Sequence, residues 1–226
     1  MSVFKTALEL YKKHSEANGR PVSDRIHQLT IVTKILEEHF KFDTIYSIET
    51  GGSQAWTDGM VGYYFAYLAN QTKGQFYSVD INPEHEPKVY KAYNKIDPSL
   101  KITHVTDDSL NLLKNPPYVP NLVHLDSWDV NLKDPLPSAL HGWREFEIIE
   151  SQMPVGSIII IDDNWYKGWW VEWLTPNDQG GLNTETINVN YPALGKGAHV
   201  YQWALPGDKN WKILDAGYKL IIQKVK

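Results

Sequence analysis

Leu122-Val123-His124-Leu125-Asp126-Ser127-Trp128 and Ile158-Ile159-Ile160-Ile161-Asp162-Asp163-Asn164-Trp165 are two apolar runs that each end in oxygen-bearing side chains. Short apolar runs bounded by polar residues predict buried strands. In an open parallel sheet, ligands collect in the crevice outside the carboxyl ends of the strands. Side by side, the two runs would hold Asp126, Asp163 and Asn164 over one crevice. Thr44-Ile45-Tyr46-Ser47-Ile48-Glu49 is a third such run, followed by Gly51-Gly52-Ser53, and Phe76-Tyr77-Ser78-Val79-Asp80 is a fourth. The expected sheet edge is acidic, which restricts what it binds.

The pattern around these runs sets the topology. Ser23 and Asp24 read as a helix start, and Ile26, Leu29, Val32, Ile35 and Leu36 recur at helical spacing up to Phe40, so residues 1–40 are expected to be helical. Strands at 44–49, 76–81, 101–105, 121–126 and 156–162 then alternate with helices near 57–70, 86–95, 108–114 and 137–152. Such alternation implies parallel βαβ units and a sheet covered on both faces, a Rossmann-like, doubly wound α/β domain spanning 1–226. His199–Leu205 and Gly217–Val225 also read as strands. Only about ten residues separate them, too few for a helical crossover, so one of the two is expected to run antiparallel to the rest. The segment 165–197, rich in Trp, Asn, Gly and Pro, is expected to be a substrate lid.

Composition removes several function classes. The chain has 226 residues, a formal net charge of −5 and no block of Lys or Arg, which argues against a nucleic-acid-binding surface. It has no cysteine, so disulfides, thiolate metal sites and cysteine nucleophiles are absent together, as suits a reducing compartment. Met1-Ser2-Val3-Phe4-Lys5 leads into polar helical sequence rather than the apolar core of a signal peptide. The apolar stretches are strand-sized, too short to span a bilayer. The expectation is a soluble cytoplasmic protein without a membrane or nucleic-acid partner.

The acidic edge also selects among nucleotide-like cofactors. Gly51-Gly52 suggests close backbone approach to a ligand, but it is not the spaced three-glycine dinucleotide fingerprint, and no Walker lysine follows. Glu49 beside this turn would repel a pyrophosphate and attract a cation. S-adenosylmethionine carries a sulfonium and an ammonium and no phosphate. At an effective dielectric constant near 20, two unit charges about 4 Å apart interact by roughly 4 kcal/mol, and the sign favours S-adenosylmethionine over NAD. Asp80 is placed to accept the ribose hydroxyls. Asp107, Asp108 and Ser109 follow the third strand, where an acceptor would take the adenine amino group.

On these residues the chain resembles the class I S-adenosylmethionine-dependent methyltransferases, and among them the metal-dependent O-methyltransferases of the catechol and caffeoyl-CoA type. The resemblance covers roughly residues 23 to 164, with a looser match in the last two strands. Ile48-Glu49-Thr50-Gly51 resembles the motif that contacts the methionine part of the cofactor, and Val79-Asp80-Ile81-Asn82-Pro83 the ribose-binding segment. Leu125-Asp126-Ser127-Trp128 is similar to the segment whose Asp binds metal and whose Trp packs on the adenine, and Asp163-Asn164 to the pair that completes the metal site. The resemblance implies a seven-stranded sheet with one antiparallel strand near its end. Together with the strand-end reading above, it gives an expected cofactor site of Glu49, Gly51, Gly52, Ser53, Asp80, Asp107, Asp108, Ser127 and Trp128. One position departs from the pattern: Asp129 stands where the catechol-type enzymes carry a basic lysine. The base is therefore Asp129, a residue from elsewhere, or none, with the metal acidifying the acceptor hydroxyl.

Asp126, Asp163 and Asn164 are all-oxygen donors, a set that suits Mg²⁺, Ca²⁺ or Mn²⁺ rather than Zn²⁺. Three protein donors would leave positions open for an acceptor oxygen, making Asp126 part of the catalytic apparatus. Asp162 either joins them or braces the loop. The alternative is that the Asp-Asp-Asn run only caps a turn. His124 is expected in the core or behind the site, His85 at the surface and His199 on a strand. Trp165, Trp169, Trp170 and Trp173 suggest an aromatic wall for the substrate, with lid packing or a homodimer contact as alternatives. Tyr63, Tyr64 and Tyr67 read as helix packing. The function expected is O-methylation of a small hydroxylated molecule. The competing readings are a metal-independent enzyme of the same fold, a nicotinamide oxidoreductase and a non-catalytic nucleoside-binding relative.

Overall fold

Ile158 to Ile161 show how the sheet is built. All four are fully buried, yet Ile158 and Ile160 pack into one core while Ile159 and Ile161 pack into another. Successive side chains of a strand point to opposite faces, so an unbroken isoleucine run requires cover on both. Each such burial contributes roughly 1.5–3 kcal/mol. The computed structural model describes residues 2–17, 23–52, 60–176, 182–204 and 210–226.

Two helices, α1 (Val3–Ala17) and α2 (Ser23–His39), precede β1 (Tyr46–Thr50). The alternation then runs α3 (Val61–Gln71), β2 (Gln75–Asp80), α4 (His85–Ile96), β3 (Thr103–Thr106), α5 (Ser109–Lys114), β4 (Leu122–Leu125), α6 (Leu136–Glu150) and β5 (Ile158–Ile161). Strands β6 (Asn164–Tyr166), β7 (Trp170–Pro176), β8 (Leu182–Asn188) and β9 (Ala193–Gly195) follow. Helix α7 (Ala198–Ala204) and strands β10 (Trp211–Ala216) and β11 (Leu220–Lys224) close the chain.

The seven-stranded sheet has the order β10-β11-β5-β4-β1-β2-β3. Neighbours from β5 to β3 are parallel, and β11 alone runs against both its neighbours, β5 and β10. The expected doubly wound sheet with one reversed strand near the end is thus observed. One core lies under α1, α2 and α3, where Leu29, Leu36, Tyr64 and Phe65 meet Ile160 and Ile221; Tyr63, Tyr64 and Tyr67 are buried there as helix packing. The other holds Val123 and Leu125 against Phe146 and Trp211. Among the described residues no helix is long and apolar enough to cross a membrane.

One expectation for the tail needs correction. The described part of the expected strand His199–Leu205 is helical instead: Ala198–Ala204 is the helix α7, and His199 sits in its first turn. Ala198, Val200 and Ala204 are its buried residues, a spacing that fits a helix as well as a strand over so few positions. The strand that pairs with the last one is instead Trp211–Ala216, joined to it by a tight hairpin. Within the 165–197 segment expected as a lid, the described residues build strands. They form two antiparallel ladders, β6 with β9 and β7 with β8.

Candidate active site

The carboxyl ends of β1, β2, β4 and β5 surround a cavity of 250 Å³ lined by five carboxylates, Glu49, Asp80, Asp126, Asp129 and Asp163, and by two cations, Arg25 and Lys196. The acidic edge expected from the sequence therefore meets at one place. Its tightness starts at the turn after β1. Gly51 has φ +70°, and a Cβ there would overlap the carbonyl oxygen of Asp126. Glycine is the residue that takes this conformation without strain, and it lets the ends of β1 and β4 touch. The Gly52 N–H donates to the Val79 carbonyl at 3.1 Å, tying the same turn to β2. Ser53 lies outside the described residues.

A buried charge network supports the floor. Asp162 is fully buried, and its Oδ2 lies 2.6 Å from Lys219 Nζ and 3.0 Å from Arg25 Nη1, which reaches in from α2. Burial alone would raise this carboxyl, but Lys219 and Arg25 outweigh burial and hold it well below the usual carboxylate range. His124 is buried between Glu49, whose Oε1 is 3.3 Å from Nδ1, and Lys219, whose Nζ is 3.3 Å from Nε2. Burial first, then the Lys219 charge, lowers its pKa and keeps the ring neutral. A neutral imidazole facing an ammonium at Nε2 accepts there, which assigns the proton to Nδ1 and the donated bond to Glu49. His124 thus stands behind the site, as expected, and orients Glu49.

Lys196 forms the second cluster. Its Nζ lies 2.5 Å from Asp126 Oδ1 and 2.8 Å from Asp163 Oδ2, and donates to the Asp126 carbonyl at 3.0 Å. The Tyr218 hydroxyl donates to Asp163 Oδ1. Burial tends to deprotonate Lys196, but Asp126 and Asp163 reverse that and hold the ammonium charged. Asp126 is pushed up to about 7, by burial first and then by the charges of Asp162 and Asp163, against the pull of Lys196. Asp163 has φ +53°, and this left-handed residue separates the direction of its side chain from that of Asp162.

These contacts do not fit a divalent cation on Asp126, Asp163 and Asn164. Asn164 does not line the cavity: its Nδ2 donates to the carbonyls of Ile161 and Asp162 at 2.8 and 3.1 Å, and its Oδ1 accepts from the Gly197 N–H at 2.7 Å. Its amide is spent bracing the turn, which is the capping role the sequence left open. Asp163 and Asp126 already share an ammonium. At an effective dielectric constant near 20, a dication about 4 Å from that charge is repelled by roughly 8 kcal/mol. Among the described residues, His124, Asp126 and Asp162 also bring ligand atoms within 4.8 Å of one another, but Lys219 lies against two of them. Asp162 braces the loop and joins no oxygen-only site.

Asp80 and its surroundings are better placed for a nucleoside. Asp80 Oδ1 accepts from the Asn82 N–H at 2.7 Å, and Oδ2 lies 3.1 Å from His85 Nδ1. His85 is half-buried and lines the cavity, so it is not the surface residue expected. Asp107 and Asp108 do not line it. Asp108 caps α5 through the Leu110 N–H at 2.9 Å, and Asp107 is exposed and bonded to Asn111 and the Asp108 N–H. Ser127 is partly exposed in the turn after β4. Trp128 follows it with φ +65°, an uncommon backbone for so large a residue. Its indole is 59% exposed and lies 5.3 Å from the ring of His141, at 34°. It presents an open aromatic face at the sheet edge.

The tryptophans after β5 do not wall this cavity. Trp165 packs edge-on to Tyr218, Trp169 edge-on to Tyr166, and Trp170 is exposed; the side chain of Trp173 lies outside the described residues. Sequence reasoning missed Arg25, Lys196, Lys219 and Tyr218. Lys196 did carry a signal, because it stands between two glycines at the end of the tryptophan-rich segment. A Cβ on Gly195 (φ +107°) would overlap the Asp163 carbonyl oxygen, and one on Gly197 would meet Asn164 Oδ1 at 2.6 Å. Those glycines press the lysine against the β5 turn.

No protein-family model matches the sequence, and no curated protein does either. Solved structures do match. A provisionally assigned caffeoyl-CoA O-methyltransferase from Staphylococcus aureus is 16% identical, with 97% of this chain and 92% of that one covered at a TM-score of 0.57. The methyltransferase PaMTH1 from Podospora anserina, bound to S-adenosylhomocysteine, is 12% identical over 100% of this chain and 89% of that one, with a TM-score of 0.55. An rRNA methylase from Streptococcus thermophilus is 11% identical over 85% and 93%, with a TM-score of 0.51. Likeness at these identities shows the fold alone, the seven-stranded α/β sheet that these three methyltransferases share with this chain.

Proposed function

We propose that this chain transfers the methyl group of S-adenosylmethionine to an oxygen of a small hydroxylated molecule. The observation that carries the reading is the cavity itself, where five carboxylates face two cations at the mouth of a methyltransferase-type sheet. That excess of negative charge suits a sulfonium and an ammonium, and it opposes a pyrophosphate. Glu49, oriented by His124, holds the ammonium end. Asp80 takes the ribose hydroxyls through Oδ2, with His85 beside it. Trp128 stacks on the adenine, and Gly51, which lines the cavity, lets the ends of β1 and β4 close together beneath the cofactor. When bound, S-adenosylmethionine supplies an electrophilic methyl group on a positively charged sulfur.

Asp126 is the base in this reading, since a carboxyl poised near neutrality can take a proton at physiological pH. It accepts the acceptor's hydroxyl proton as that oxygen bonds to the methyl carbon. S-adenosylmethionine held there would give up its methyl group and leave as a neutral thioether, and the acceptor would leave as its methyl ether. Asp129, exposed at the cavity edge, faces the incoming acceptor. An RNA acceptor, of the kind the rRNA methylase name implies for that protein, is opposed by the net charge of −5.

The test is transfer of labelled methyl from S-adenosylmethionine to a panel of phenols and polyols. Asp126→Asn is expected to lower kcat by about 10²–10⁴-fold while S-adenosylhomocysteine affinity stays within a few-fold. Tight S-adenosylhomocysteine binding with no labelled product from any hydroxylated acceptor would favour the non-catalytic reading instead.

A further inference from the structure

Lys196 stands where the sequence suggests a divalent ion. An ammonium has three N–H donors and no acceptor, and here three oxygens from Asp126 and Asp163 surround it at 2.5, 2.8 and 3.0 Å. The lysine side chain is 2% exposed, whereas the two carboxylates keep one edge open to the cavity. It is fixed there by its neighbours on both sides. The Lys196 N–H donates to the Asp163 carbonyl at 3.3 Å, and the Gly197 N–H donates to the Asn164 amide oxygen at 2.7 Å. All three residues that the sequence offers to a metal are therefore engaged by one Gly-Lys-Gly segment.

We propose that Lys196 is the built-in cation of this site: it takes the place of a divalent metal between Asp126 and Asp163, so that the wild-type chain binds none there, and its removal uncovers a latent oxygen-donor metal site. A side-chain ammonium with all its protons committed offers no open coordination position. The acceptor is then held by shape and hydrogen bonds rather than by chelation, and it needs no pair of adjacent oxygens. That consequence for the acceptor rests on the methyl-transfer reading; the claim about the cation does not.

The experiment uses the full chain without methyl donor or acceptor and reads thermal unfolding with MgCl₂, MnCl₂ or CaCl₂ alone. For the wild type, no salt is expected to raise Tm beyond a KCl control of equal ionic strength. Lys196→Ala is expected to lower Tm by roughly 6–20 °C, the shift of a broken buried ion pair in a chain of this length, and Mn²⁺ is expected to restore part of it. The double variant Lys196→Ala, Asp163→Ala should lose that restoration. A wild-type Tm raised by divalent ions and made insensitive to them by Asp163→Ala would overturn the proposal. So would a Lys196→Ala protein as stable as the wild type, or one whose lost stability no divalent ion recovers. If Lys196→Ala does not fold, the wild-type and Asp163→Ala arms decide alone. S-adenosylhomocysteine binding by the same wild-type sample, scored separately, keeps failure of the methyl-transfer reading distinct.

Discussion

Asp162→Ala is expected to cost about 3–5 kcal/mol of stability, the loss seen when one partner of a buried ion pair is removed. The side chain is fully buried and faces Lys219 at 2.6 Å and Arg25 at 3.0 Å. Removing it leaves an ammonium that is itself 4% exposed with no carboxylate, beside a neutral His124 that offers only one lone pair. The effect also has a pH signature. Asp162 titrates below its unfolded value of about 3.9 because Lys219 and Arg25 overcome its burial. A depressed folded pKa contributes stability that is present above the unfolded value and lost as pH falls through the folded one. The wild type should therefore lose stability steeply on acidification below about pH 4, and Asp162→Asn should be less stable at neutrality but flatter on that acid limb. Urea unfolding at neutral pH, repeated down to acid pH, checks both. A loss under about 1 kcal/mol at neutrality would mean that the cluster is solvated like a surface pair.

Asp80→Ala is expected to weaken S-adenosylhomocysteine binding by roughly 100-fold or more, since hydrogen bonds to a charged group contribute about 1.5–3 kcal/mol each and two ribose hydroxyls are at stake. Its Oδ1 is held by the Asn82 N–H and its Oδ2 is paired with His85 at the cavity, so the carboxylate is set before a ligand arrives. Stability should change little, because no buried cation is orphaned. Calorimetric titration of the two proteins gives the ratio. Equal affinities would remove the ribose assignment.

The fold was legible wherever burial wrote a simple pattern. The isoleucines of β5 and the four acid-ended strands read correctly because a strand buried on both faces tolerates few other sequences. Glu49, Asp80, Asp126 and Asp163 were found for the same reason, being placed by the ends of those strands. Ala198–Ala204 misled because seven residues of mixed apolar and aromatic character have no decisive period. Trp211–Ala216 escaped because an edge strand alternates weakly with its partly exposed residues.

The cations were illegible for a different reason. Arg25 meets Asp162 across 137 residues, and Lys196 meets Asp126 across 70. Such pairs are fixed by how α2 and the β9 turn pack over the sheet, which no local pattern records. An Asp-Asp-Asn run therefore looks alike whether a metal, a lysine or the backbone completes it. Asp108 makes the same point in small: an acid after a strand serves as a helix cap as readily as a ligand contact.

The most direct measurement is a pair of calorimetric titrations of the wild-type chain, one with S-adenosylmethionine and one with NAD⁺. An acidic mouth built for a cationic methyl donor gives saturable binding of S-adenosylmethionine and none of NAD⁺. Saturable binding of NAD⁺, or no binding of S-adenosylmethionine, would contradict it.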